Sequence, residues 1–334
     1  MAKIPNYRLP FEAPIVEMET RLAELEERYV TARTGEDSTV NEIAEQVRRL
    51  RRELIGLIRT VYANLSPWES IRVARCDARP QTRDYISLIC DQFIELHGDR
   101  AVGDDAAVVT GLVHIGERKL MLIGHQKGKN LAERQAANFG CAHPEGYRKA
   151  ILKMRLAEKL KIPIVCLIDT PGAYPGIGAE ERGQALVIAE NLREMSQINT
   201  PIVCVVIGEG GSGGALGIGI GDRVAMLEHA WYSVISPEGC ATILWKGAEH
   251  APRAAEALRM TSREVLKMGI IDDVITEPLG GAHRDPREAG SNLKSYIFKA
   301  LNDIERQPRE QLLDLRYARF RKIGVYSEGD SSGK

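Results

Sequence analysis

The chain has 334 residues, of which 45 are Lys or Arg and 46 are Asp or Glu, so its formal net charge is −1 at pH 7. This balance argues against broad binding to nucleic acid or to an anionic membrane surface, and no apolar run is long enough to span a bilayer. The start of the chain lacks the layout of a signal peptide, and the six cysteines form no CxxC pair, so we expect a cytoplasmic protein with a large core.

Two amphipathic helices are predicted at the N terminus, arranged as an antiparallel hairpin. Apolar residues recur at spacings of three and four from Ile15 to Tyr29, Gly35 breaks the pattern, and a heptad stripe runs from Val40 to Val61. This hairpin is the first predicted domain, residues 1–65. Because the apolar stripe of a helix pair needs a partner, we expect it either to pack on its own chain or to form a subunit interface.

The second predicted domain, residues 66–305, begins with a helix. Ser66-Pro67-Trp68-Glu69 places a cap, a proline and an acid in the order that is typical of a helix start. Ala107–Ile115 and Lys119–Ile123 are predicted to form a two-stranded hairpin. Residues 145–160 are predicted to be helical.

A buried strand followed by a shaped loop is predicted next. Residues 162–169, IPIVCLID, form an apolar and β-branched run, and the loop TPGAYPGIG at 170–178 combines two prolines with three glycines. A helix is predicted over residues 180–196. Strand, loop and helix in this order predict a parallel strand whose loop lies at the carboxyl edge of the sheet.

The same pattern recurs with a loop that is almost free of side chains. Residues 202–207 predict a second buried strand, and five glycines follow within seven positions: Gly208, Gly210, Gly211, Gly213 and Gly214. Ordering so many glycines costs conformational entropy, so a plain turn does not explain them. The pattern favours backbone N–H groups that face negative charge in a bound group.

Other interpretations of these glycines stay open. Residues 208–213 match the dinucleotide pattern GxGxxG, and Glu228 lies about where a ribose-binding acid belongs. A dinucleotide site needs a stable helix after these glycines. The further glycines at 217, 219 and 221 predict only a short and unstable helix. Tight packing of a strand against a helix is a further interpretation, whereas a phosphate-binding Walker loop is excluded because no Gly-Lys-Ser/Thr follows.

A nucleophile-elbow interpretation is also open. Residues 210–214 match GxSxG with Ser212 as the candidate nucleophile, and Asp272 and His283 follow in the chain order of a hydrolase triad. Only geometry can establish such a triad.

The C-terminal third is predicted to add strands and helices. Trp231–Ile235 alternates as a half-buried strand, and Ser236-Pro237-Glu238 has the pattern of a capped helix entry. Residues 270–275 predict another strand, and the chain is predicted to be helical from Pro286. Residues 306–334 form the third predicted domain, a helix and a polar tail that we expect to be disordered.

Several long motifs in a fixed order resemble one known family. They are TPGAYPGIGAEERGQ, GEGGSGGALGIG, YSVISPEGCATILWK, EPLGGAHRDP, GHQKGK at 124–129 and NFGCAHPEGYRKA at 138–150. The chain resembles the carboxyltransferase alpha subunit of multi-subunit acetyl-CoA carboxylase from its N-terminal helices to about Arg321. Motifs of this length are far more specific than a single glycine pattern.

This resemblance implies an α/β fold, a crotonase-like superhelix of ββα units, with the N-terminal helical hairpin added. It implies transfer of a carboxyl group from N-carboxybiotin, held by a biotin carboxyl carrier protein, to acetyl-CoA, which gives malonyl-CoA for fatty acid synthesis. The implied partner is a beta subunit, related in fold, that carries a zinc ribbon, shares the active site and assembles as α2β2. ATP would be used by a separate biotin carboxylase. No metal is expected in this chain.

The resemblance also implies site residues. The amides of Gly213 and Gly214, flanked by Gly210 and Gly211, would stabilise the oxyanion on the ureido group of biotin. Gly213→Val or Gly214→Val is expected to abolish transfer while the protein stays folded. The residues expected to bind substrate are Gly172, Ala173, Tyr174, Pro175, Ser236, Pro237, Glu238, Lys127 and Lys129. The two lysines are expected to meet the phosphates of coenzyme A or acids of the carrier. A serine hydrolase that uses Ser212, and a non-catalytic assembly scaffold, are the alternatives.

Overall fold

A mixed eight-stranded sheet runs through the part of the chain that the structure, a computed structural model, describes: residues 9–34 and 39–325. The strands are Gln92–Glu95 (β1), Val108–Ile115 (β2), Arg118–His125 (β3), Ile164–Thr170 (β4), Ile202–Gly211 (β5), Arg223–Leu227 (β6), Trp231–Ser233 (β7) and Asp273–Ile275 (β8). The predicted break at Gly35 and the predicted polar tail from residue 327 lie outside the described residues.

Helices surround this sheet. They are Ala13–Thr34 (α1), Val40–Ala63 (α2), Pro67–Ala74 (α3), Thr82–Ile89 (α4), Leu131–Ala136 (α5), Pro144–Leu160 (α6), Ile177–Glu181 (α7), Gln184–Gln197 (α8), Ser212–Leu216 (α9), Pro237–Trp245 (α10), Ala251–Leu258 (α11), Ser262–Lys267 (α12), Pro286–Glu305 (α13) and Leu312–Arg321 (α14). Within residues 9–34 and 39–325, none of them is long and apolar enough to cross a membrane.

The strand order is β1-β2-β3-β4-β5-β6-β8, and β7 pairs with the end of β5. The first three strands are antiparallel, and the predicted hairpin between β2 and β3 is confirmed. From β3 onward the neighbouring strands are parallel, so their carboxyl ends meet at one edge of the sheet. Every residue of β4 and β5 is buried, as their apolar sequences predict for strands that are covered on both faces.

Several element boundaries differ from the prediction. β5 continues through Gly208 to Gly211, because Gly210 and Gly211 pair with Tyr232 and Ser233 of β7. Pairing with β7 therefore keeps these glycines in a strand, although their low strand propensity predicts a loop. The predicted helix over residues 180–196 is two helices, since Gly183 adopts φ +82° between them. The predicted strand over 270–275 forms only at 273–275.

The N-terminal helices pack against each other as the predicted hairpin. Ile43 and Val47 of α2 pack with Leu22, Leu25, Tyr29, Ala32 and Val40. At the other end of α2, Ile58 and Tyr62 are more deeply buried than the predicted Leu57 and Val61, because they pack on Val73 of α3. This end of the hairpin thus packs on its own chain, and a role of the hairpin in a subunit interface stays a prediction.

Candidate active site

Two turns meet at the carboxyl edge of the sheet. One leaves β4 through Pro171 and Gly172, and the other leaves β5 through Ser212 and enters α9. A Cβ atom on Gly214 would lie 2.5 Å from the backbone nitrogen of Ala173 and 2.5 Å from the carbonyl carbon of Gly172. A Cβ on Gly211 would overlap the carbonyl group of Pro171. The structure therefore brings the two predicted glycine loops into direct contact, at a distance that only glycine allows.

Gly213 and Gly214 occupy the first turn of α9, which has five residues. The first four N–H groups of an α-helix have no acceptor within the helix itself, so both amides lack an intrahelical partner. A Cβ on Gly213 would have only Ile188 Cδ1 near it, at 3.9 Å. Gly213 therefore faces open space, and Gly214 packs against the neighbouring turn.

Side chains behind the turn hold it in place. The Tyr147 hydroxyl donates to the Gly214 carbonyl at 3.3 Å, and the Asn191 amide donates to the carbonyls of Tyr147 and Gly217 at 3.0 and 2.9 Å. Burial raises the pKa of Tyr147, so its hydroxyl keeps its proton. Sequence reasoning missed both side chains as supports of the site; the motif NFGCAHPEGYRKA, which contains Tyr147, was the available signal.

The loop after β4 has a defined shape. The Tyr174 ring stacks on the His143 ring, with 4.1 Å between centroids. The Tyr174 N–H donates to the Ala142 carbonyl at 3.0 Å, and its own carbonyl accepts from the Gln184 amide at 3.1 Å. Gly172, Ala173 and Tyr174 are half-buried and Pro175 is exposed. The loop is thus fixed by backbone contacts and still accessible from outside.

Charged side chains close to the two turns form a connected cluster. The members of this charge cluster are Asp169, Lys127, Glu209, Arg75 and Glu238. Lys127 Nζ lies 2.6 Å from Asp169 Oδ1 and 2.6 Å from Glu209 Oε2. Arg75 continues the chain, 2.6 Å from Glu209 Oε1 and 2.5 Å from Glu238 Oε1.

Two members of the charge cluster, Glu209 and Lys127, are held in their ionised forms at neutral pH. Burial alone would raise the pKa of Glu209, but the attraction of Lys127 and Arg75 outweighs it and lowers the pKa to about 2. Burial alone would lower the pKa of Lys127, and the attraction of Asp169 and Glu209 reverses that effect and raises it. Each buried charge is therefore compensated by at least one neighbour.

The remaining predicted substrate-binding residues lie in different places. Ser236 caps α10 by accepting from the Gly239 N–H at 3.1 Å, which confirms the predicted helix entry. Glu238, in the first turn after Pro237, is paired with Arg75 of the charge cluster. Lys129 lies apart from that cluster; its side chain is 51% exposed and pairs with Asp84 at 2.5 Å.

A cavity of about 390 Å³ adjoins the turns. Lys127, Asp169 and Glu209 form part of its wall, together with Pro171, whose carbonyl packs against Gly211. The cavity thus lies at the carboxyl ends of β3, β4 and β5, where open α/β sheets bind their ligands.

The hydrolase triad is not assembled. Ser212 is exposed with φ +53°, as at a strand-to-helix elbow, but Asp272 accepts from the Val224 N–H at 2.7 Å. Val224 pairs with Cys204, eight residues before Ser212 on an extended strand, so Asp272 is about 26 Å away along the sheet. The His283 side chain is buried beside Glu12. The order of these residues in the chain was a coincidence of sequence.

The dinucleotide interpretation lacks its structural context as well. A Rossmann site needs a sound helix after its glycines, whereas α9 ends at Leu216. The Glu228 side chain accepts from the Glu277 N–H at 3.2 Å and pairs with Arg263. Among the described residues, no group of three or more His, Cys, Asp or Glu is arranged to hold a metal ion.

Known proteins resemble this chain in fold and in sequence. The fold is similar to that of transcarboxylase 12S, with a TM-score of 0.55 and 19% identity over 77% of this chain and 44% of that one. The fold is crotonase-like, as the motifs implied.

The sequence relatives are much closer. The acetyl-coenzyme A carboxylase carboxyl transferase subunit alpha of Rhodopirellula baltica is 55% identical, over 94% of this chain and 98% of its own length. The subunit of the same name from Methylococcus capsulatus is 52% identical, over 96% of this chain and 98% of its own length. A family model described as "Acetyl co-enzyme A carboxylase carboxyltransferase-like" matches residues 8–324. The chain therefore belongs to the family of acetyl-CoA carboxylase carboxyltransferase alpha subunits.

Proposed function

We propose that this chain is the alpha half of a carboxyltransferase that forms malonyl-CoA. It would take the carboxyl group from N-carboxybiotin on a biotin carboxyl carrier protein and pass it to acetyl-CoA. The family membership supports this reaction and a beta subunit as partner. We propose an α2β2 assembly in which the beta subunit carries zinc, with ATP used by a separate biotin carboxylase.

The close contact of the two glycine turns is the observation that carries this proposal. Loss of the carboxyl group from biotin leaves negative charge on the ureido oxygen. The N–H groups of Gly213 and Gly214, at the open end of a five-residue helix, would donate to that oxygen. A donor of this kind typically lowers a barrier by about 3 kcal/mol. No Asp, His or Lys lies within the segment 210–214, so the turn would act through its backbone.

Substrate contacts follow from the same placement. The half-buried loop residues Gly172, Ala173 and Tyr174 would line the approach to the amides, and Pro175 would form its rim. Ser236 and Pro237 would act by starting the helix that presents Glu238 to Arg75. For the phosphates of coenzyme A, exposed Lys129 is the better candidate, because the Lys127 ammonium is already paired with two carboxylates.

The proposal is tested with the reverse reaction, decarboxylation of malonyl-CoA that depends on free biocytin. Three samples are compared: this chain alone, a beta subunit alone, and the two together. We expect activity only in the mixture, since the site is shared. A confirmed complex without biocytin-dependent activity would overturn the proposed function.

The glycine turn is tested within the active mixture. Gly213→Val places a branched side chain in the open space beside this turn, so we expect turnover to fall by about 100-fold or more with an unchanged melting temperature. The matched control is Gly56→Val, since a Cβ on Gly56 of α2 meets nothing within 4 Å. Ser212→Ala should keep most activity. Near-normal turnover of Gly213→Val would remove the oxyanion role.

A further inference from the structure

We propose that Lys127 is a positioning residue of this site, which ties together the strand ends from which the two glycine turns begin. The inference rests on the proposed function, because it concerns the geometry needed for carboxyl transfer. It differs from the expected contact of this lysine with phosphate. The tie consists of one ammonium between Asp169 and Glu209, with both distances at 2.6 Å.

The three residues come from three neighbouring strands. Lys127 follows the end of β3 by two residues, Asp169 is the next-to-last residue of β4, and Glu209 lies near the end of β5. Asp169 precedes Gly172 by three residues, and Glu209 precedes Gly213 by four. The ion pairs therefore connect the turns close to the point where each leaves the sheet.

Regular backbone pairing does not fix the position of β4 relative to β5 at Asp169. Ile168 pairs with Val206, but Thr170 pairs with Gly210, so the register shifts at Asp169 and the regular ladder is interrupted. The Asp169 carboxylate accepts from the Glu209 N–H at 2.8 Å. With Lys127 on the same carboxylate, side chains hold the two strands together where backbone pairing fails.

Lys127 is itself held rigidly. Its N–H and that of Gly128 both donate to the Gln81 side-chain oxygen, at 3.3 and 2.9 Å. A Cβ on Gly140 would lie 2.7 Å from Lys127 Cγ, so the lysine stem runs closely past that glycine. The side chain is 16% exposed. A stem packed in this way keeps the ammonium between its two carboxylates.

The contact between the two glycine turns depends on the position of β4 relative to β5. Gly214 lies against Gly172 and Ala173 with no space for a methyl group, so a shift of β4 relative to β5 moves the amides directly. A misplacement of about 1 Å at a reacting centre can cost about 100-fold in rate. We therefore expect loss of the tie to lower kcat and to leave binding of the thioester intact.

The test uses Lys127→Met in the complex with the beta subunit, and Lys267→Met as the matched control, since Lys267 is 69% exposed in a surface pair. We expect kcat of biocytin-dependent decarboxylation to fall by about 100-fold, with KM for malonyl-CoA within about twofold. Lys127→Arg should recover part of kcat. A raised KM at normal kcat would overturn the inference in favour of phosphate contact.

A second variant separates position from charge. Lys127→Met leaves the Asp169 carboxylate without its cation, so the double variant Lys127→Met/Asp169→Asn returns the charge cluster to its original net charge and should restore the melting temperature. Its kcat should stay low, because the tie is still absent. Full recovery of kcat in the double variant would overturn the inference. A wild-type mixture without activity would instead refute the proposed function.

Discussion

The two glycines of the α9 turn should respond differently to the same small substitution. Gly214→Ala places a methyl carbon 2.5 Å from the backbone of Gly172 and Ala173, 0.9 Å short of the 3.4 Å at which ordinary contact begins. Gly213→Ala places it 3.9 Å from Ile188 Cδ1. The atoms that obstruct Gly214→Ala belong to the backbone, so no side-chain rotation relieves the overlap.

The cost follows from that overlap. One of the two turns must move by most of an ångström, and overpacking of this size costs about 1–3 kcal/mol. A destabilisation of 1 kcal/mol lowers Tm by about 2–4 °C in a domain of about 200 residues. We therefore expect Gly214→Ala to melt several degrees below the wild type. Turnover should fall with it, since the moved peptide borders the amides.

The assay combines thermal unfolding of each variant with decarboxylation kinetics of its complex with the beta subunit. Gly213→Ala is the control for the methyl group itself and should keep the wild-type Tm. A Gly214→Ala protein with wild-type Tm and turnover would refute the close contact on which the site is built. An equal loss of Tm in both variants would show that the facing turn does not decide the cost of the methyl group.

Two further predictions concern charge. Burial would raise the pKa of Glu209 and of Glu277, but neighbouring cations lower both to about 2, against an ordinary value of 4.5. Each carboxylate therefore contributes on the order of 3 kcal/mol to the free energy of unfolding, fully present above pH 4.5 and lost as pH falls toward 2. Urea unfolding should therefore show stability falling below pH 4.5, less steeply for Glu209→Gln; identical slopes would contradict the depressed pKa. Arg284→Met leaves the buried Glu12 carboxylate without its cation at 2.6 Å, at a cost of about 3–5 kcal/mol. Amide exchange in α1 and α2 should accelerate, and unchanged exchange would contradict that role.

The sequence predicted the parts of the fold that depend on local patterns. The apolar runs of β4 and β5, the hairpin of β2 and β3, and the caps at Ser66 and Ser236 are all present. Each depends on neighbouring residues and on a period or a cap that a single segment contains. The end of β5 was missed because glycine has no strand propensity of its own, and pairing with β7 decides its conformation.

The partners of Lys127 could not be predicted from the sequence. Asp169 and Glu209 lie 42 and 82 residues further along the chain, and a lysine beside glycines has the pattern of a solvated or phosphate-binding group. Only the order of β3, β4 and β5 in the sheet brings the three charges together. The same holds for Asn191, whose helix gives no local sign that its side chain reaches the glycine turn. Tyr147 lies in a family motif, but the motif alone does not show which residue its hydroxyl contacts.

The glycine turn has no charged side chain of its own, yet the charge cluster lies close to it, and electrostatics explains why the cluster carries cations as well as carboxylates. Two carboxylates near the amides would oppose any negative charge that develops there. Lys127 and Arg75 pair with them at distances of 2.6 Å, and such close pairs cancel most of each other's field beyond a few ångströms. The third carboxylate of the cluster, Glu238, shares Arg75 and is 36% exposed, so water screens its charge. The N–H groups of Gly213 and Gly214 then set the potential that a bound oxyanion experiences. The glycines provide the donors, and the charge cluster keeps them in place without opposing them.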